Sequence, residues 1–129
     1  MSRRALVLVS GVVSFALSLG IVALLAPTVT LSTDDLHAES SADSRVTYDC
    51  SGAELSSELW LVRVSRLLGT HHELRIGPGA PDRYYPAPVA FGDDEPRIDH
   101  VEWGTGEVAV TFESGDSVRV AAENYCGVQ

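Results

Sequence analysis

VEWGTGEVAVTFESGDSVRV, residues 101–120, decides the fold class. Val101 and Trp103, then Val108, Val110 and Phe112, then Val118 and Val120 alternate with polar residues, the period-two pattern of strands with one buried face. Gly104-Thr105-Gly106 and Ser114-Gly115-Asp116 interrupt that alternation with turn chemistry. The stretch therefore predicts a three-stranded antiparallel meander.

Upstream, the same period recurs less cleanly. Val46, Tyr48 and Cys50 share one face of a first strand, and residues 58–66 place Trp60, Val62 and Val64 toward the core with Arg63 and Ser65 opposite. A helix competes here, because Ser51 and Glu54 have capping-box spacing ahead of Leu55 and Leu59; the aromatic and β-branched run favours a turn leading into a strand. Residues 68–71 turn the chain into residues 73–77, where Leu74 and Ile76 point the same way, so this region reads as a hairpin. Pro78, Pro81, Pro86 and Pro88 bar the next segment from a central strand and leave it as loop or sheet edge. A short strand at residues 89–91 and an acidic turn at 92–96 complete the reading. Residues 45–129 are thus expected to form a small all-β domain, sandwich or barrel-like, of about six or seven short antiparallel strands.

The N-terminal part is of a different kind. Residues 5–26 are 22 uncharged residues, which as a helix would rise about 33 Å against a hydrocarbon core of roughly 30 Å. They read as a transmembrane signal-anchor helix, with residues 1–4 as a cytoplasmic flank oriented by Arg3 and Arg4. A cleaved signal peptide with a secreted domain is the rival reading, but Pro27 would follow a cut after Ala26, and Ser40-Ser41-Ala42 lies far beyond the apolar run. Ser10, Ser14 and Ser18 share one helix face and form a candidate packing stripe for a homo-oligomer, although small residues are also simply tolerated in lipid. Residues 27–44, PTVTLSTDDLHAESSADS, read as an acidic flexible tether that holds the domain outside the membrane.

Charge closes several function classes. The chain has 18 acids, nine arginines and no lysine, a formal charge of −9. Lysine-dependent phosphate loops and Schiff-base chemistry are excluded, and an acidic excess argues against nucleic acid as a partner. All 18 acids follow residue 26, where they face only seven arginines.

Cys50 and Cys126 bracket the predicted domain, and export would place them in an oxidising compartment, so they are expected to form a disulfide. Catalytic constellations are weak. His72-Glu73 begins like a zinc-protease motif, but Ile76 stands where its second histidine belongs, and His71 and His72 would point to opposite faces of a strand. His100 lies between Asp99 and Glu102, yet no G-x-S-x-G serine accompanies it. Asp93, Asp94, Glu95 and Asp99 offer hard oxygen ligands for calcium without the spacing of a calcium loop. Gly77-Pro78-Gly79 lacks the helix and lysine of a phosphate loop. Tyr84 and Tyr85, in a stiff proline-rich segment, are the candidate partner-binding residues, against the plainer reading that one covers the core and the other meets water. No catalytic residue, metal or cofactor is assigned. The expected function is a non-catalytic, single-pass, membrane-anchored binding or assembly module of the cell envelope, with the lipid bilayer and an envelope protein as partners. The alternatives are an acidic inhibitor or immunity-type protein for a basic exported enzyme, and a secreted hydrolase using His100.

Overall fold

Alternating apolar residues in two adjacent segments build the centre of the larger sheet. In the computed structural model, which describes residues 29–92 and 94–127, Glu58–Arg66 and Gly69–Gly79 form an antiparallel hairpin through Leu67 and Leu68. Leu59 lies opposite Ile76 and Leu61 opposite Leu74, and all four are fully buried. Arg83–Val89 pairs on one side of this hairpin and Thr30–Ser40 on the other. In chain order the strands are β1 (Thr30–Ser40), β2 (Tyr48–Cys50), β3 (Ala53–Leu55), β4 (Glu58–Arg66), β5 (Gly69–Gly79), β6 (Arg83–Val89), β7 (Ile98–Trp103), β8 (Glu107–Phe112) and β9 (Ser117–Ala121), followed by a short helix α1 (Ala122–Cys126). They form three antiparallel sheets ordered β1-β4-β5-β6, β2-β3 and β7-β8-β9. One core takes side chains from all three: Tyr48 and Cys50 from β2, the β4 and β5 leucines, Ala87 and Val89 from β6, Trp103, Val108, Val110, Phe112 and Val120 from the meander, and Tyr125 from α1.

The segment expected to be a tether is ordered over most of its length. Residues 30–40 form β1, paired with β4 from Thr30 opposite Arg66 to Ser40 opposite Glu58. Backbone hydrogen bonding to a strand edge makes no demand on side-chain polarity, so an acidic segment satisfies it. Two irregularities, at Leu31 and Leu36, each insert an unpaired residue and break the two-residue period. A corner then leads to β2: the Ser41 N–H donates to the Ser57 carbonyl at 2.9 Å, and the Ser57 N–H donates to the Ser41 Oγ at 2.8 Å. The folded unit therefore includes β1, ahead of residue 45.

β4 also faces the opposite way from the sequence reading. Leu59 and Leu61 enter the shared core, whereas Trp60, Val62 and Val64 lie on the other face of the sheet. Both faces of β4 are apolar, so its own pattern leaves the choice open; pairing with Leu74 and Ile76 settles it, since one residue of parity exchanges the two faces. Val62 and Val64 remain buried on that outer face, among the cross-strand neighbours Asp35, Glu73, Thr33 and His71.

At the position of the capping-box spacing the chain makes a turn and not a helix: Ser51 and Gly52 turn it into the short strand β3, and the Gly52 N–H donates to Asp49 Oδ1 at 2.8 Å. The proline-rich segment is a sheet edge, β6. Pro86 and Pro88 lie opposite Arg75 and Glu73, and since neither proline can donate to β5, their nitrogens face the open side. Pro78 sits within a break of the β5-β6 register. Gly115 turns β8 into β9 with φ of 92°, a conformation that favours glycine.

Cys50 and Cys126 are bonded, with Cα atoms 4.9 Å apart and a sequence separation of 76. Around this bond Tyr48 packs edge-on to Tyr125 at 5.3 Å and lies 6.3 Å from Trp103. The Tyr48 and Tyr125 hydroxyls are close enough to influence each other's ionisation, but their geometry makes no hydrogen bond, and neither these hydroxyls nor Trp103 Nε1 has a partner. Burial pushes both phenols up from the ordinary value of 10.0.

The staple and the aromatic cluster each govern a measurable stability. Cross-linking a loop of this length removes about 4 kcal/mol of unfolded-chain entropy, so Cys50→Ala is expected to lower the thermal midpoint by roughly 15–30 °C without reductant; calorimetry checks this, and reductant should bring the parent protein to the same midpoint. The tyrosines set an alkaline limit. Below the ordinary phenol pKa both are protonated whether folded or unfolded; above it the unfolded chain ionises first, so each buried phenol removes up to about 1.4 kcal/mol of stability per pH unit. Urea unfolding above about pH 10 should show this fall, and Tyr125→Phe should roughly halve its slope, leaving the share of Tyr48, while keeping neutral-pH stability intact, because its hydroxyl has no partner to lose.

Candidate functional site

Two strands and two connections converge to form a cleft on the core side of the larger sheet. β1 and β4 supply Leu36, His37 and Leu61; the loop between β6 and β7 supplies Phe91 and residues 94–97; the turn after β8 supplies Glu113 and Ser114. The space comprises two adjoining hollows of about 450 and 320 Å³ that share Glu95, Pro96, Arg97 and Glu113. Its wall is fastened at two points. The Glu113 N–H donates to the Arg97 carbonyl at 2.9 Å, joining the turn to the loop, and Phe91 packs edge-on against Phe112 with ring centres 5.2 Å apart.

Arg63 closes the end of the cleft toward the β4-β5 turn. Its guanidinium donates to Asp34 of β1 at 3.0 Å and to Glu95 of the loop at 2.8 Å. The hydrogen bond to Asp34, with the charge of Glu95, raises the pKa of Arg63 and keeps it cationic. His72 lies 3.9 Å from the same Glu95 carboxylate, and its buried Nε2 has no hydrogen-bond partner. His37 lies 3.4 Å from Glu39. The lining combines an apolar floor of Phe91, Leu36, Leu61, Pro96 and Ile98 with the carboxylates of Asp94, Glu95 and Glu113, of which Glu95 is paired with Arg63, and with Arg97. Such a site suits a cationic side chain on an aliphatic stem, which needs both apolar contact and negative charge.

The residues singled out from sequence are dispersed. Tyr84 and Tyr85 point to opposite faces of β6: Tyr85 packs against the core, while Tyr84 lies under the Arg75 guanidinium at 4.4 Å. Arg75 is itself held by Glu73 at 2.8 Å. His71 and His72 separate as expected, His71 lying 3.6 Å from Glu73 on the outer face. His100, on β7, is exposed and bonds Asp99 at 2.8 Å. Asp94 and Glu95 of the acidic turn line the cleft, while Asp93 lies outside the described residues; among those described, no three metal-ligating side chains come together. The transmembrane segment 5–26, with Ser10, Ser14 and Ser18, also lies outside them, and among the described residues no helix is long and apolar enough to cross a membrane.

The cleft is not visible in sequence because Leu36 and His37 lie in a polar, acidic stretch without strand periodicity, and because Glu95, Arg97 and Glu113 show no local motif. Arg63→Gln is expected to speed amide hydrogen exchange in residues 94–97, with little change in the global midpoint, because it frees the loop from β1 and β4. No protein-family model, curated protein or solved structure matches the chain, so the chemistry of the cleft is read from its own residues.

Proposed function

We propose that this chain is a membrane-anchored, extracytoplasmic binding or assembly module of the cell envelope, whose β domain receives a basic segment of an envelope protein in the acidic cleft. The observation that carries this reading is the cleft itself, in which three carboxylates surround an apolar floor. The uncharged segment 5–26, with Arg3 and Arg4 before it, supports anchoring and export, and the Cys50–Cys126 bond suits an oxidising compartment. In this role the domain holds a partner and does no chemistry on it.

A second reading shares the cleft. The 18 acids and seven arginines after residue 26 would steer the domain onto a basic exported enzyme as its inhibitor. A fall in association rate of more than tenfold between low and high salt favours that reading over a static assembly contact.

A photo-crosslinking residue in place of Ser114, introduced into the native cells, tests the main proposal. The expected result is one adduct of defined mass, absent when the crosslinker replaces Asp82 and reduced when Glu113→Gln is added. Loss of the adduct in the Ser114 experiment, or its indifference to Glu113, would remove the cleft as the binding site.

A further inference from the structure

Among the described residues, the large apolar side chains left exposed gather at one end. They are Val29 at 43%, Leu31 at 61%, Leu67 at 52% and Leu68 at 73% relative exposure. Leu67 and Leu68 form the tip of the β4-β5 hairpin, and Thr30 pairs with Arg66, which brings the start of β1 to that same tip. Leu31 is the residue left unpaired by the first β1 irregularity, a device that re-aims a side chain out of the ladder. Charge is partitioned in the same way. Residues 29–33 and 64–72 contain none of the chain's 18 acids, which begin at Asp34 on one strand and Glu73 on the other.

This end is also where the chain comes from the uncharged segment. Only Pro27 and Thr28 separate Ala26 from Val29, a reach of about 10 Å even when extended. β1 has consumed the residues that would otherwise have held the domain away.

We infer that the hairpin tip, with Val29 and Leu31, is seated in the lipid headgroup layer, so that the domain stands on the bilayer by this end instead of floating above it. The inference rests on the anchored reading proposed above. The occupant of the apolar tip is lipid, because a span ending at residue 26 leaves the tip at most about 10 Å beyond the hydrocarbon, a distance comparable with the roughly 5–8 Å of headgroup region on each side. Residues 29–33 and 64–72 themselves bring no carboxylate to this end, Glu95 and Asp34 meeting it only at His72 and Arg63 where they are paired, which suits the same occupant, since carboxylates at the tip would be repelled by anionic headgroups. Four apolar side chains at one end of an otherwise acidic domain give insertion a defined direction. The β5-β6 turn, which contains Asp82, lies at the opposite end of the sheet, since Gly77 pairs with Glu58.

The test uses the full chain carrying Leu68→Trp, reconstituted into vesicles whose acyl chains are brominated near the carbonyl end, with the parent chain supplying the background from Trp60 and Trp103. The added fluorescence is expected to fall at least twofold relative to unbrominated vesicles and to resist aqueous iodide. Asp82→Trp in the same vesicles is expected to show iodide quenching only. A Leu68→Trp chain that floats with the vesicles while its added indole escapes bromine overturns this inference and leaves the anchored reading standing. An added indole protected from both quenchers marks a contact between copies and overturns the inference equally, as does bromine quenching of the indole in the Asp82→Trp chain. A chain that does not float with the vesicles overturns both readings.

Discussion

Cys50 ends a three-residue strand whose ladder partner is another three-residue strand, and Cys126 ends a five-residue helix. Neither element has enough internal hydrogen bonding to persist alone. The covalent bond between them holds β2-β3 against the end of the meander and encloses Tyr48, Trp103 and Tyr125. It also explains how this cluster tolerates three buried polar atoms without partners. Each costs free energy when withdrawn from water, and the cross-link offsets that cost by restricting the unfolded chain. The large sheet stands on a separate footing: a hairpin of two long strands with Leu59, Leu61, Leu74 and Ile76 buried between them and the meander.

That division of labour shapes the cleft. Its floor belongs to the stable part, through Leu61 on β4 and Leu36 on β1, while its acidic wall is a loop fastened by Arg63, by Phe91 on Phe112 and by the Glu113 amide. The charged contacts are exposed, so they select a loop position more than they stabilise the fold. A rigid floor with an adjustable charged wall can accommodate a partner without disturbing the core.

The meander was legible because each strand keeps strict alternation between turns that announce themselves, Gly104-Thr105-Gly106 and Ser114-Gly115-Asp116. The disulfide was legible from cysteine position and topology. β1 was not, since its register breaks at Leu31 and Leu36 scramble the period and an edge strand is held by its backbone. The orientation of β4 could not be read from β4 alone, because Trp60, Val62 and Val64 are as apolar as Leu59 and Leu61; the answer lies in β5. The cleft inherited both gaps. Its residues come from β1, β4 and two connections, and their proximity is a property of the sheet order.

The same pattern that concealed β1 gives the sheet its resistance to edge pairing. An open four-stranded sheet exposes two edges, each a template for another strand. On β6, Pro86 and Pro88 remove donors from the outer side. On β1, two register breaks bend the ladder while Asp34 and Asp35 charge it. Both devices cost local regularity, and both occur where a purely stability-driven sequence would place alternating β-branched residues. The acidity of β1 is thus explained without a disordered tether. A charged edge keeps the sheet from adding strands to itself, and the first acid of β1 appears only at Asp34, after the first register break.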